Sequence, residues 1–217
     1  MSKMNKSIEE KLNEGRQYRM IDLAEFEHRA DDGGEKIVEG YATTFNQPYF
    51  LFRQGNYTVY EQVDPAAFDE TDMSDVIMQY DHQGRVFARI SNGTLEVTPD
   101  ERGLQVRASL GGTEIGRQLY EEIDGGYTTK MSFGFTVTGE RVDRNEKEDG
   151  TIDALRTITG IGKLYDVSAV SIPANDATTI SARSYGEGVI AGIIEEIEQQ
   201  RLREEKIKRI KLMAKEI

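Results

Sequence analysis

The stretch Thr128-Thr-Lys-Met-Ser-Phe-Gly-Phe-Thr-Val-Thr-Gly139 determines the fold class, because its two faces differ in character. β-Branched and aromatic residues dominate it and turn residues flank it, which predicts a β-strand. Side chains alternate along a strand, so every second residue shares a face. The first face is apolar: Met131, Phe133, Phe135 and Val137. This face predicts the core side of a sheet.

The opposite face of this strand places a small hydroxyl beside a glycine. It carries Lys130, Ser132, Gly134 and Thr136. One interpretation is a half-exposed sheet face, where serine is common. The other is that Ser132 takes part in chemistry and that Gly134 leaves room above it for a peptide carbonyl.

The composition of the 217-residue chain excludes several classes of function. A formal net charge of −12 gives no electrostatic footprint for nucleic acid. No apolar run approaches bilayer length and no signal peptide is recognised, so we expect a soluble intracellular protein without membrane contact. The absence of cysteine excludes disulfides, thiolate metal sites and cysteine nucleophiles. Two histidines, His28 and His82, are too few for a typical zinc site, and we predict no cofactor and no metal.

Short strands separated by turns predict a mainly β fold with a few helices, of the α+β class. A hairpin is predicted from Arg19–Arg29 and Lys36–Phe45, and a helix is predicted to start at the N-cap Thr113. A polar surface loop is predicted at 143–151. Further strands are predicted at 57–63, 76–82, 86–90, 94–97, 104–110, 156–163 and 164–172. Many short strands with few helices are typical of a small closed β-barrel.

The sequence divides into four predicted parts. Residues 1–18 form an N-terminal helical extension, 19–177 the β-barrel domain, 178–188 a linker and 189–217 an amphipathic helix. The last part has an isoleucine stripe and nearly balanced charge. Such a helix is suited to docking on a partner or to pairing with itself, without contributing to the barrel.

His82 and Ser132 are the candidates for a base and a nucleophile. A serine hydroxyl is a poor nucleophile until a base within hydrogen-bond reach takes its proton. A third group usually fixes the tautomer of that base. A single histidine is also common as a structural residue, so this pair alone leaves both interpretations open.

Five segments in a fixed order resemble the prohead (capsid maturation) protease family of tailed bacteriophages, of the HK97 type. The segments are Gly40-Tyr-Ala-Thr-Thr-Phe45, Glu61-x-Val-Asp-Pro-x-Ala-Phe68, Tyr80-Asp-His82, Lys130-Met-Ser-Phe-Gly-Phe135 and Asp166-Val-Ser-Ala-Val-Ser-Ile-Pro-Ala-Asn175. The resemblance covers roughly residues 19–180. It implies a barrel like that of the herpesvirus assembly proteases.

The resemblance implies a serine endopeptidase that acts inside the procapsid in the host cytoplasm. Its partners would be the phage scaffold and the major capsid protein, whose scaffolding segment it would cleave, and it would also cleave itself. Ser132 would be the nucleophile and His82 the general base. Asp166 is the preferred third residue of the catalytic triad, the one that orients His82. His28 is the alternative, because the herpesvirus enzymes use a second histidine. Self-association through the C-terminal helix is a further expectation.

Two non-enzymatic interpretations remain beside the protease. The first is a capsid-assembly module, a β-barrel that binds scaffold through its C-terminal helix without catalysis. The second is an acidic β-barrel binding module unrelated to phage.

Overall fold

Two open β-sheets make up most of the computed structural model, which describes residues 15–22, 27–30, 36–170 and 187–213. The strands are β1 (Arg16–Asp22), β2 (Glu27–Ala30), β3 (Lys36–Thr44), β4 (Tyr49–Gln54), β5 (Tyr57–Val63), β6 (Ile77–Tyr80), β7 (Gln83–Arg89), β8 (Leu95–Pro99), β9 (Gly103–Ser109), β10 (Lys130–Glu146) and β11 (Ile152–Val170). The helices are α1 (Glu114–Asp124), α2 (Glu187–Met213) and two short 3-10 helices, Pro65–Phe68 and Ile90–Asn92.

The predicted closed barrel is wrong, and the strands form two separate sheets. The seven-stranded sheet has the order β1-β10-β11-β5-β4, and β6 pairs with both β11 and β7. The four-stranded sheet has the order β2-β3-β9-β8. Among the described strands, β1 pairs only with β10 and β4 only with β5. A barrel needs its first and last strands to pair, and these two lie at opposite edges of the same sheet.

Strands β10 and β11 form one long antiparallel hairpin, which corrects the predicted surface loop at 143–151. β10 continues to Glu146 and β11 begins at Ile152, so the connection is short. In the outer half of the hairpin, polar residues alternate with the buried Val142, Ile152 and Ala154. The alternation buries one face and leaves the other in water. The polar composition of this stretch therefore reflects an outer sheet face rather than a loop.

The first predicted hairpin is divided between the two sheets. β1 pairs with β10 of the larger sheet, whereas β2 pairs with β3 of the smaller one. β1 also begins at Arg16, within the stretch expected to be a helical extension. Tyr18 and Arg19 point to opposite faces of β1 and are both buried. Both faces of this strand are therefore covered. The segments that cover them are close in space but far away in the sequence.

The core lies between the sheets and α1. Thr113 caps α1 as predicted, with its Oγ1 accepting from the Gly116 N–H at 3.0 Å. Leu119 and Ile123 on the inner side of α1 are buried in this core. The Met131, Phe133 and Phe135 side chains from β10 are completely buried there, which confirms the apolar face that the sequence predicted.

Helix α2 belongs to the folded body at its N-terminal half. Ile193 and Ile197 are buried in a second apolar cluster formed by side chains of β4, β5, β10 and β11. The expectation that this helix contributes nothing to the packing of the β domain is therefore wrong. The C-terminal half exposes large apolar side chains: Leu202, Ile207, Ile210, Leu212 and Met213. Most of the predicted linker 178–188 lies outside the described residues.

Candidate active site

Three adjacent strands of the larger sheet present the small polar residues of the site on one face. Ser132 in β10 lies between Met20 of β1 and Ser168 of β11. Two residues further along, Gly134 lies between Tyr18 of β1 and Asp166 of β11. This face is opposite to the one that carries Phe133 and Phe135, because side chains alternate along β10.

His82 lies in the tight turn between β6 and β7 and not at the end of a strand as predicted. Asp81 and His82 are the two central residues of this turn, and Tyr80 pairs with Gln83 across it. Both central residues have positive φ values, 48° and 58°. This is the backbone of a type I′ turn, which non-glycine residues adopt at an energetic cost. Backbone strain of this kind is often found at functional sites.

The turn is attached to the strand that carries Asp166. β6 runs parallel to β11, and Asp166 pairs with Ile77. The backbone N–H of Asp81 donates to the carbonyl oxygen of Ala169 at 2.9 Å. The turn is thereby held against β11, and the imidazole of the next residue, His82, reaches over the sheet between Asp166 and Ser132.

Hydrogen bonds connect Ser132, His82 and Asp166 in a line. The Nε2 atom of His82 is 2.7 Å from the Ser132 Oγ, and its Nδ1 atom is 2.5 Å from the Asp166 Oδ1. All three side chains are nearly inaccessible, with exposed fractions of 4% for Ser132, 6% for His82 and 1% for Asp166. The three candidates from the sequence are therefore brought together in a dry environment, where electrostatic interactions are strong.

This arrangement can activate a serine hydroxyl. A carboxylate at Nδ1 holds the tautomer in which Nδ1 carries the proton, so that Nε2 is free to accept a proton from the serine. The Ser168 hydroxyl donates to the same Asp166 oxygen at 2.8 Å. This second hydrogen bond fixes the carboxylate and favours its charged form. Ser168 was missed from the sequence, although its spacing of two from Asp166 places both on one strand face.

Gly134 is small for a different reason from the one predicted. A Cβ atom at this position would lie 2.7 Å from the Asp166 Oδ2 and 2.7 Å from the Tyr18 Cε1. Neither contact is sterically allowed. The missing side chain therefore makes room for the carboxylate and for the tyrosine ring, and the expectation that it makes room for substrate is wrong.

Tyr18 is the second residue that the sequence did not reveal. Its ring lies against the His82 imidazole, with 4.2 Å between ring centroids and an interplanar angle of 54°. Burial raises the pKa of the Tyr18 hydroxyl to about 12, and the nearby negative charge of Asp166 contributes to the increase. Nothing in the local pattern around Tyr18 indicates this contact, because it arises from the pairing of β1 with β10.

The alternative third member, His28, belongs to a different sheet. His28 is in β2 and pairs with Val38 of β3 in the four-stranded sheet. Its side chain lies outside the described part of the structure. Within the described residues, the group at the Nδ1 of His82 is the carboxylate of Asp166.

A buried ion-pair network lies in the same sheet, on the face opposite to the site. The completely buried Glu61 of β5 accepts from the guanidinium groups of Arg19 and Arg156 and from the Tyr49 hydroxyl. Burial alone would raise the pKa of Glu61, but the two guanidinium charges outweigh it and hold that pKa below its usual value. Glu61 belongs to one of the segments that carry the family resemblance, and its position here is structural.

The described residues contain no group of three or more histidine or acidic side chains placed to hold a metal ion. Within the same residues, neither helix is long and apolar enough to cross a membrane.

A serine, a histidine and an aspartate joined in this order are the arrangement that serine hydrolases use. The chain belongs to the caudovirus prohead serine protease family, whose sequence model matches residues 24–189. It is therefore a member of a family of serine proteases of phage capsid maturation, which confirms the resemblance found in the sequence. Strand β1, with Tyr18, precedes the matched range.

Among solved structures, the bacteriophage T4 capsid assembly protease is similar to this chain. The two share 11% sequence identity with a TM-score of 0.36, over 71% of this chain and 98% of that one. No curated protein sequence matches.

Proposed function

We propose that this protein is a prohead maturation protease, a serine endopeptidase that acts inside the procapsid in the host cytoplasm. Its substrates are the scaffold, or the scaffolding segment of the major capsid protein, and the enzyme itself. The observation that supports this most directly is the hydrogen-bonded line from the Ser132 Oγ through His82 to the Asp166 Oδ1. Membership of the prohead serine protease family supports a substrate of the capsid-protein class.

In the proposed reaction His82 acts first as a base and then as an acid. Its Nε2 takes the proton from Ser132 as the Oγ attacks the peptide carbonyl carbon and forms a tetrahedral intermediate. The same Nε2–H then donates its proton to the leaving amine as the C–N bond breaks. A water molecule hydrolyses the acyl-enzyme by the same two steps and restores the serine. Asp166, held by Ser168, stabilises the imidazolium in each half of the cycle.

The hydrogen-bond donors that stabilise the negatively charged oxygen of the tetrahedral intermediate come from outside the central part of β10. Backbone N–H groups near Ser132 would be the simplest donors, but β10 is paired with β1 on one side and β11 on the other at residues 131–134. Backbone N–H groups in a strand paired on both sides are used by the sheet ladders. The donors must therefore be supplied by another segment that reaches the Ser132 side chain.

We also propose that the enzyme cleaves itself within 178–188 and that the C-terminal half of α2 docks on scaffold, on capsid protein or on a second copy. The exposed fractions of Leu202, Ile207 and Ile210 are 62%, 50% and 57%. Such apolar side chains on a charged helix are suited to an interaction with another helix.

A small phosphonate that reacts with activated serines tests the catalytic proposal. A small reagent is preferred because the Ser132 side chain is buried. We expect wild type to be labelled at Ser132, because His82 activates its hydroxyl. Ser132→Ala should not be labelled, and its cleavage of scaffold should fall about a million-fold.

Two further variants separate the candidates for the third member. Asp166→Asn should slow scaffold cleavage on the order of ten-thousand-fold, because the wrong tautomer of the imidazole is then stabilised. His28→Ala should be close to wild type. The reverse order would transfer the role to His28. A wild type that is neither labelled nor able to cleave scaffold would instead favour the non-catalytic capsid-assembly module.

A further inference from the structure

The ring of Tyr18 packs against the His82 imidazole in a tilted arrangement, with an interplanar angle of 54°. The ring centroids are 4.2 Å apart, and both residues are almost completely buried. Asp166 and Ser132 hydrogen bond to the two nitrogen atoms of the imidazole and hold that edge of the ring. The Tyr18 ring adds a packing contact with the imidazole that neither hydrogen bond supplies.

Two features, one in β10 and one in β1, place the tyrosine ring at this position. The first is Gly134, its neighbour on β10, whose missing Cβ leaves the space that the Tyr18 ring occupies. The second is Arg19, which donates to the Glu61 Oε2 at 2.7 Å on the opposite face. A shift of β1 by one residue would exchange its two faces and lose both contacts. The ion pair thus fixes the register that brings Tyr18 to His82.

We propose that Tyr18 is a positioning residue for His82, acting through its aromatic ring and not through its hydroxyl. The ring holds the imidazole in the orientation that joins Asp166 to Ser132 and keeps water away from the His82–Asp166 hydrogen bond. An aromatic face also favours the positive charge that the imidazole acquires during the reaction. This inference rests on the proposed function and adds to it a residue that precedes the range matched by the family.

The hydroxyl of Tyr18 contributes little to this role. Its oxygen is buried, and the side chain nearby that interacts with it most favourably is the Arg16 guanidinium, which is not part of the line from Ser132 to Asp166. With its pKa raised to about 12 by burial, the hydroxyl also remains uncharged at any pH at which the protein works. Removing it while keeping the ring should therefore preserve the function of this residue.

The test compares Tyr18→Phe with Tyr18→Leu in the full-length protein. Tyr18→Phe keeps the ring and should be labelled by the phosphonate at a rate within about twofold of wild type. Tyr18→Leu keeps an apolar side chain but loses the ring, and its labelling should slow by on the order of 10- to 100-fold, as expected for a misplaced catalytic group. Phe52→Leu is the matched control, since Phe52 is equally buried but lies in the second cluster under α2.

Proton NMR supplies a measurement that a general loss of stability would not change. The proton between the His82 Nδ1 and Asp166 should give a low-field resonance that is protected from exchange with water. We expect it in wild type, Tyr18→Phe and Phe52→Leu, and expect it to be broadened by exchange in Tyr18→Leu. With only two histidines in the chain, His28→Gln completes the assignment.

Two outcomes would overturn the inference. One is a Tyr18→Leu variant with unchanged labelling and an unchanged resonance, and the other is a Tyr18→Phe variant as impaired as Tyr18→Leu. If wild type itself is not labelled, the proposed function fails, but the NMR comparison still decides whether Tyr18 positions His82.

Discussion

At the scale of single residues, the site depends on the absence of a side chain as much as on its polar groups. Gly134 lies under the Asp166 carboxylate and the Tyr18 ring, and a methyl group there would contact both at 2.7 Å. These neighbours are held by the hydrogen bonds of Asp166 and by the packing of Tyr18 on His82, so neither can move without disturbing the base. Gly134 therefore controls the geometry of the site without touching a reacting atom.

We predict that Gly134→Ala folds but loses most of its activity. The added methyl group should displace Asp166 or Tyr18, lower the free energy of unfolding by about 1–3 kcal/mol as overpacking does, and slow phosphonate labelling roughly 100-fold. Thermal unfolding and the labelling rate measure the two effects. Gly192→Ala in α2 is the control, since nothing lies within 4 Å of its Cβ position. An active Gly134→Ala variant would show that the neighbours can adjust.

At the scale of secondary structure elements, the charged side chains of Glu61, Arg19 and Arg156 join strands β5, β1 and β11 inside the sheet. Glu61 is completely buried, and both arginines are nearly so. A buried ion pair adds little net stability compared with an apolar replacement, but removing one partner is strongly destabilising because the remaining charge is left in the interior. The network therefore acts mainly to select which strands pair and in which register.

We predict that Glu61→Gln lowers the free energy of unfolding by about 3–5 kcal/mol. The folded state also lowers the pKa of Glu61, so its carboxylate stabilises the fold at a pH above the usual glutamate value of about 4.3. That contribution is lost as the pH falls through the lower, folded-state pKa. Urea unfolding should therefore show a larger difference in the free energy of unfolding between wild type and the variant at pH 7 than near pH 3.

The exposed ion pair between Lys163 and Asp72 provides the comparison for this prediction. Asp72→Asn should change the free energy of unfolding little, because water screens this pair. Equal losses for the buried and the exposed variant would contradict the role assigned to Glu61.

Helix α2 carries a pH-sensitive contact with β10. Burial raises the pKa of Glu196 in α2, and the facing carboxyl of Glu140 raises it further, whereas Arg156 and Arg203 act in the opposite direction. A raised pKa means that the docked helix favours the protonated carboxyl. The contribution of this group is present below its unfolded pKa and is lost as the pH rises through the folded value.

We therefore predict that α2 is held more firmly at pH 4, below the usual glutamate pKa of about 4.3, than at pH 8. Hydrogen exchange of the α2 amides, corrected for the intrinsic effect of pH on exchange, should show more frequent opening at pH 8. Glu196→Gln should remove most of the difference. Equal dependence on pH in the variant and in wild type would assign the effect to another group.

At the scale of the whole molecule, the packing of α2 changes what self-cleavage would do. The buried Ile193 and Ile197 hold the first half of the helix against the β domain, and Arg144 pairs with Glu204 at 2.7 Å. A cut in 178–188 would break the chain without breaking these contacts. The product would be a nicked protein whose helix remains attached to the domain.

We predict that wild type is cut over time in denaturing mass spectrometry, that Ser132→Ala remains at full length, and that native mass spectrometry shows the two wild-type pieces still together. Ile197→Asp should release the C-terminal piece after cutting, whereas Ile207→Asp should not, because Ile207 is already half exposed. Self-cleavage requires a folded active site, so a variant that is cut is also folded.

Two results would contradict the proposal that self-cleavage leaves α2 attached to the β domain. One is a wild type that remains intact, and the other is release of the piece from unmodified wild type. If a chain that ends near Arg183 still enters procapsids, α2 is not the docking element.

Local patterns in the sequence were sufficient for several features. The period of two in β10 placed Met131 and Phe133 in the core, and the N-cap Thr113 marked the start of α1. These features depend on neighbours within a few residues, which the chain order alone determines. The family resemblance, rather than a local pattern, pointed to His82, Ser132 and Asp166, the three side chains that the structure brings together.

Tertiary structure alone decided which strands lie beside one another. Pairings between segments far apart in the chain, such as β1 with β10, produce the open sheets and the burial of α2. They also produce the contact of Tyr18 with His82 and the need for a residue without a side chain at position 134. Local propensity does not encode a strand's partner, because the energy that selects it comes from packing and buried charge on both faces of the assembled sheet.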